Sequence, residues 1–251
     1  MGKIVAVANQ KGGVGKSTTC INLCCALKLR NRRTLLIDCD PQANASSGIG
    51  GDKSIRPNLY DVLIDGVPAE QAVYETKYCD LMPANRELSG ALVELVDMPD
   101  REFVMKKALE PLREKYDFIF IDCPPSLELL TINALAAADT VMIPVQSEYF
   151  ALEGLADLLS TIKRLNRRIN PSLTIEGLVL TMFDKRTNFS RQVAEELISH
   201  FGSQVYETVI PRSVRVSEAP SHQKPVVVYD RMNKGARAYL KLANEFLKGQ
   251  V

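Results

Sequence analysis

Asn9-Gln10-Lys11-Gly12-Gly13-Val14-Gly15-Lys16-Ser17-Thr18 is the stretch on which the reading of this chain turns. It follows a short β-branched run, Ile4–Ala8, and opens an amphipathic segment, Ser17–Leu29, so it joins a strand to a helix. Glycines at 12, 13 and 15 let successive backbone N–H groups turn inward around an anion. The helix that follows adds the positive end of its dipole. Lys16 reaches the outer phosphates of a nucleoside triphosphate, and the Ser17 hydroxyl is placed to ligate Mg²⁺. The candidate nucleotide contacts are Lys11, Gly12, Gly13, Val14, Gly15, Lys16, Ser17 and Thr18. Gln10 stands where the usual phosphate loop has glycine, and Lys11 adds a second cation at the loop's start.

Further apolar runs of strand length follow at Thr34–Ile37, Phe118–Ile121, Thr140–Val145, Leu178–Leu180 and Val205–Ile210. Helical patterns lie between and after them at Arg101–Lys115, Leu127–Ala138, Leu152–Leu165, Arg191–Phe201 and Ala236–Leu247. Near-continuous apolar strands alternating with helices predict a doubly wound α/β fold, a mostly parallel sheet with helices on both faces. Residues 58–100 read as an irregular α/β excursion. No Pro/Gly/Ser-rich linker or internal repeat interrupts the chain, so residues 1–251 read as one domain.

Two of the strands end in acids. Thr34–Ile37 runs into Asp38-Cys39-Asp40-Pro41, and Phe118–Ile121 runs into Asp122-Cys123-Pro124-Pro125. Ligands of an open parallel sheet sit at the carboxyl ends of its strands, so both clusters point at the nucleotide edge. Asp122 is the expected second anchor of the metal, through a water, because Mg²⁺ takes oxygen ligands and keeps several waters. Asp38 supports the metal from behind its direct ligands. Asp40 is placed to orient the attacking water. Cys39 and Cys123 read as small buried residues.

The chain has 251 residues, 46% of them hydrophobic, and a formal net charge of +1. Any pull on nucleic acid must then come from a local patch. Its six cysteines include no C-x-x-C pair and suit a reducing cytoplasm. No apolar run reaches the ~18 residues of a membrane span, and the N-terminus lacks a signal-peptide pattern.

Lys11–Ser17 resembles the deviant Walker A form of the P-loop. Asp38-Cys39-Asp40-Pro41-Gln42-Ala43-Asn44 and Ile121-Asp122-Cys123-Pro124-Pro125-Ser126 narrow the match. So do Leu130–Leu135, Glu148-Tyr149-Phe150-Ala151-Leu152-Glu153-Gly154-Leu155, and Ile210-Pro211-Arg212-Ser213-Val214-Arg215-Val216-Ser217-Glu218-Ala219-Pro220-Ser221-His222. Together they are similar to the ParA partition ATPases of the short Soj type, over essentially the whole chain. The resemblance implies an ATPase using ATP and Mg²⁺, with Lys11, Lys16 and Asp40 serving hydrolysis. It implies an ATP-driven face-to-face homodimer in which Lys11 reaches the partner's phosphates and Gly12 packs at the interface. Pro211 then contacts the adenine with Met182 nearby, and Arg186 and Arg215 contact double-stranded DNA without sequence preference. A ParB-type centromere-binding protein stimulates hydrolysis, and the protein is cytoplasmic and nucleoid-associated.

Three positions depart from the family pattern. Ser17 replaces a commoner Thr, Ala43 a usual Gly, and Ser213 a usual Asn. No helix-turn-helix segment precedes the loop, so operator binding is not expected. A MinD-like membrane ATPase is the main alternative, but Tyr239, Leu240, Leu242, Ala243, Phe246 and Leu247 read as a core-docking stripe. Stable membrane binding is therefore not expected. A redox ATPase like the nitrogenase iron protein is a further alternative, but Cys123 directly follows Asp122, whereas that protein's cluster cysteine lies several residues further on. ParA-like positioning of another cargo stays open.

Overall fold

The computed structural model describes residues 1–148 and 151–250; Tyr149 and Phe150, part of the Glu148–Leu155 stretch, lie outside the described residues. Seven strands form one sheet: β1 (Lys3–Val7), β2 (Thr34–Asp38), β3 (Tyr74–Glu75), β4 (Asp80–Met82), β5 (Phe118–Asp122), β6 (Thr140–Gln146) and β7 (Thr174–Thr181). Their order is β3-β4-β2-β5-β1-β6-β7. Every neighbouring pair is parallel except β3 with β4.

The apolar runs have a simple cause. Successive strand residues point to opposite faces, and both faces here are covered. Ile4, Ala6, Leu35, Ile37, Ile119 and Ile121 enter one core. Val5, Val7, Leu36, Phe118 and Phe120 enter the other. A sheet buried on both sides needs apolar residues at every position, so no alternation is visible in the sequence.

Five longer helices cover the faces: α1 (Lys16–Lys28), α2 (Leu129–Ala137), α3 (Ala151–Arg168), α4 (Asn188–Phe201) and α5 (Lys234–Lys248). α1 and α5 pack on the face of Val5 and Phe120. α2, α3 and α4 pack on the face of Ile4 and Ile119. β1 lies between β5 and β6. From it the chain winds one way to β2 and later the other way to β6. This is a topological switch point, where a crevice opens beyond the strand ends.

Two sequence expectations change. Val205–Ile210 is not a strand of the sheet: it makes one isolated bridge, Val205 with Leu178, and a second, Pro211 with Phe183, follows just after it. The Glu245 carboxylate of α5 accepts the N–H groups of Glu207 at 2.6 Å and Thr208 at 3.0 Å, so mid-segment donors leave the strand ladder. Arg101–Lys115 is helical only over Val104–Leu109 and then tightens into a 3₁₀ turn, Glu110–Glu114. Pro111 lacks the N–H that an α-helix interior needs. The excursion at 58–100 holds the edge strand β3, its neighbour β4, and the short helices Leu59–Leu63 and Leu88–Glu94.

The stripe on α5 is inside the protein. Tyr239, Leu242, Ala243 and Phe246 are at most 1% exposed. Phe246 meets Phe118 edge-to-face, with ring centroids 5.0 Å apart, and Phe120 at 5.7 Å. Phe246→Ala should cost about 3–5 kcal/mol in urea-induced unfolding, the range for a fully buried Phe. A loss below about 1 kcal/mol would mean that α5 is not docked on the sheet.

Candidate active site

The glycine loop is pinned from both sides before it reaches any ligand. Asn9 donates its side-chain amide to the Pro144 carbonyl of β6 at 2.8 Å and accepts the Lys11 N–H at 3.0 Å. From β7, the Thr181 hydroxyl donates to the Val14 carbonyl at 2.8 Å. Gly13 and Gly15 have φ of 74° and 91°, the left-handed region where a Cβ is strained. α1 starts at Lys16 with no side-chain cap. Its first N–H groups are thus left for an anion.

Lys16 is 7% exposed, and its ammonium donates to the Lys11 carbonyl at 3.1 Å. Burial pulls its pKa down, opposed chiefly by the nearby Asp122. Lys11 instead points to β6, where its ammonium meets Glu148 Oε2 at 2.7 Å.

Asp38 and Asp122 are register partners across β2 and β5, and both are fully buried. Asp122 accepts the Cys20 thiol at 3.8 Å through Oδ1, while its buried Oδ2 has no partner. Burial and the Asp38 carboxylate push its pKa well up, with Ser17 and Lys16 opposing. A buried, unpaired carboxylate oxygen is costly unless a cation completes it. The donors gathered here, Asp122 and the Ser17 hydroxyl, are oxygens, the class that Mg²⁺ takes. The site therefore fits that ion.

Asp38 has no free oxygen of this kind. Its Oδ2 accepts the Ser46 N–H at 2.6 Å and the Ser46 hydroxyl at 2.7 Å, and its Oδ1 accepts the Asp40 N–H at 3.2 Å. It ties the Asp40–Ser46 loop to the sheet. Asp40 is 7% exposed, and its Oδ1 accepts the Gln42 N–H at 2.9 Å. Ala43 sits at φ 53°, so this loop holds an alanine in a glycine-like conformation.

A cleft of about 370 Å³ opens beside the loop, lined by Thr18, Thr181, Met182, Pro211 and Tyr239 among others. It brings Thr18, Met182 and Pro211 together from three distant segments. Arg186 and Arg215 lie elsewhere, on the surface. Arg186 pairs with Asp184 at 2.7 Å, and Arg215 pairs with Glu218 at 2.7 Å and Asp230 at 3.6 Å. A larger cleft of about 760 Å³ adjoins, sharing Pro211 and Arg212 with the first. It carries Lys185, Arg186, Arg212, Lys234, Arg237 and Lys241 against Asp184 and Glu207. Sequence reading sees those cations only as scattered charges, and nothing in the sequence pairs Ser46 with Asp38 or Glu148 with Lys11.

A family model described as an AAA domain matches residues 2–175. The sporulation initiation inhibitor protein Soj of Bacillus subtilis is 52% identical over 248 residues, covering 98% of this chain and 98% of that protein. The chromosome partitioning protein ParA of Myxococcus xanthus is 50% identical over 251 residues, covering 99% of this chain and 89% of that protein. The chain belongs to the ParA/Soj family of partitioning ATPases. Like its family, this ParA/Soj chain is an ATPase. Among solved structures, cobyrinic acid a,c-diamide synthase from Mycobacterium smegmatis with bound ADP and magnesium matches with a TM-score of 0.88 and 35% identity. That match covers 100% of this chain and 96% of the other.

Ser46 offers a direct test of the Asp38 anchor. Burial raises Asp38 from 3.8 to about 6, while the Ser46 hydrogen bonds favour its charged form. A carboxyl with a raised folded pKa contributes stability that is whole below the unfolded value and is lost as pH rises through the folded one. Ser46→Ala removes the hydroxyl's bond to the ionised form, keeps the backbone N–H bond, and leaves the Ala84 N–H unpaired. The substitution should cost about 1–3 kcal/mol, and the loss should be larger at pH 7.5 than at pH 5. Denaturant melts at the two pH values measure it; an equal loss at both would mean that Asp38 does not titrate in this window.

Proposed function

We propose that residues 1–251 form one ATPase domain that pairs with a second copy when ATP is bound, binds duplex DNA without sequence preference, and segregates or positions DNA. A ParB-type centromere-binding partner stimulates its hydrolysis. ATP is the substrate and Mg²⁺ the cofactor.

The observation that carries the reading is the outer half of the glycine loop. Gly12 is exposed, and a Cβ there meets only Pro125 Cβ, at 4.0 Å. This subunit has room for a side chain there, and a bare glycine on that exposed surface suits close approach of a neighbour from outside. Lys11, next to it, is a second cation in one loop. Two loop lysines are best used when phosphate charge from two sites converges, as in a face-to-face dimer.

Within one subunit the roles follow from position. Loop N–H groups and Lys16 hold the phosphate chain. Thr18, Met182 and Pro211 line the cleft that takes the adenine. Ser17 and Asp122 hold Mg²⁺, with Asp38 behind them keeping the loop in place. When bound, the ion spreads the negative charge of the phosphate oxygens. Asp40 has one oxygen fixed by Gln42 N–H, so its other oxygen receives the hydrogen bond of the attacking water. Water and ATP become ADP and phosphate. No arginine finger lies in the loop, which supports slow turnover without a partner.

Support for DNA binding is the basic cleft, with Arg186 in its wall and Arg215 nearby on the segment that follows Arg212. Pairing doubles such a surface, and phosphate affinity grows with the number of phosphates neutralised. Cations of this kind address the backbone and carry no base readout. The protein is then nucleoid-associated. The apolar stripe of α5 is occupied in the core, which argues against lipid as the anchor.

The test is retention on non-specific duplex DNA with ATP·Mg²⁺ against ADP·Mg²⁺, using Asp40→Ala to hold the ATP state. Binding should require ATP and weaken steeply with salt. Arg215→Ala should abolish retention. Arg237→Ala should lower the slope of log affinity against log salt by about 1, the value for one phosphate left without its cation. An ATP-bound dimer with no affinity for DNA sinks the proposal and moves attention to liposomes and protein scaffolds.

A further inference from the structure

Lys11 and Glu148 stand 137 positions apart in sequence, yet Nζ and Oε2 lie 2.7 Å from each other. Both side chains are partly open to water, at 35% and 48% exposure. What surrounds them is well ordered by hydrogen bonds. The Asn9 side chain fixes the Lys11 backbone and moors it to β6. The Gln146 amide donates to Glu148 Oε1, and the Glu148 N–H donates to the Gln146 carbonyl at 2.8 Å. The carboxylate is thus set just past the end of β6, with one oxygen on Gln146 and the other on Lys11. Among the described residues the Lys11 ammonium has no other ion-pair or hydrogen-bond partner.

We propose that Glu148 is a positioning residue that holds Lys11 against its own subunit and so sets the protein concentration at which ATP drives pairing. This rests on the reading of Lys11 as a cation for the partner's phosphates. One ammonium cannot serve both places: it must leave Glu148 to meet a phosphate across the interface. The exchange trades a single carboxylate for a polyanion, so it runs forward when the facing subunit holds ATP. Loss of the terminal phosphate weakens the attraction, and Glu148 recovers the lysine. The vacated carboxylate keeps its Gln146 hydrogen bond and its exposure to water, so the holding force is small. The worth of an exposed ion pair corresponds to about 1.5- to 5-fold in an equilibrium constant. A symmetric dimer vacates two, giving about 2- to 25-fold.

The experiment is sedimentation equilibrium with a non-hydrolysable ATP analogue and Mg²⁺. It compares the native chain, Glu148→Gln, Glu148→Asp, Lys11→Ala, and the double variant Lys11→Ala/Glu148→Gln. Glu148→Gln should dimerise with an apparent Kd about 2- to 25-fold lower. Glu148→Asp, which keeps the charge, should fall between it and the native chain. In the Lys11→Ala background the Glu148 change should have no effect, whereas a purely structural role would shift both backgrounds alike. The gap between native and Glu148→Gln should also narrow at high salt, as for any exposed pair. An unchanged or weakened dimer in Glu148→Gln, with the native chain dimerising normally, overturns the proposal alone. Failure of the native chain to dimerise overturns both it and the reading of Lys11 on which it rests.

Discussion

The parallel pairing of β5 with β1 on one side and β2 on the other places Val7, Asp38 and Asp122 in one row at the carboxyl edge of the sheet. Everything else at the site depends on that register. A shift of one residue in β2 or β5 would turn its acid to the opposite face and carry its apolar set into the wrong core. The two dry cores on either side hold the register, because each strand residue is committed to one of them. Packing far from the nucleotide edge therefore fixes the carboxylates to within hydrogen-bond precision.

Keeping those groups dry is unfavourable for the free protein. Asp38 and Asp122 both have raised pKa values, and Lys16 has a lowered one, with burial the largest cause in each case. Each resists its charged form until something completes it. For Asp38 the partner is built in, since Ser46 and the Asp40 N–H occupy both oxygens. For Asp122 one oxygen stays unpaired. A ligand that brings a cation and phosphates to this edge relieves the remaining strain and stabilises the fold by binding only the native state. The same preorganisation that destabilises the free site prepares it for charge.

The segment after β7 links two surfaces. Pro211 and Arg212 line both the smaller cleft beside the P-loop and the larger basic cleft. The segment has its shape because Glu245 takes the Glu207 and Thr208 N–H groups. Beyond it, Ile210 returns to the β7 side through the Leu180 carbonyl at 2.8 Å and the Phe183 N–H at 3.0 Å, which sets Pro211 beside Phe183. One carboxylate on α5 thereby holds Glu207 and Thr208 in the wall of the larger cleft.

Features that arise within a few residues were legible from the chain alone. The glycines, the helix that opens directly after them, and the acids at the ends of β2 and β5 belong to this class, because local sterics and strand–helix alternation dictate them. The fold class followed from near-continuous apolar strands, which only a sheet covered on both faces explains. Short edge strands such as Tyr74–Glu75 left no pattern to read, being too brief for periodicity. The rest was decided by the tertiary structure. Ser46 on Asp38, Glu148 on Lys11, Glu245 on the Thr208 segment and the clustering of Lys234, Arg237 and Lys241 with Lys185 all join residues from different elements. Such pairings depend on strand order and helix packing. Those are cooperative outcomes of burying two cores at once, and no local run of residues encodes them.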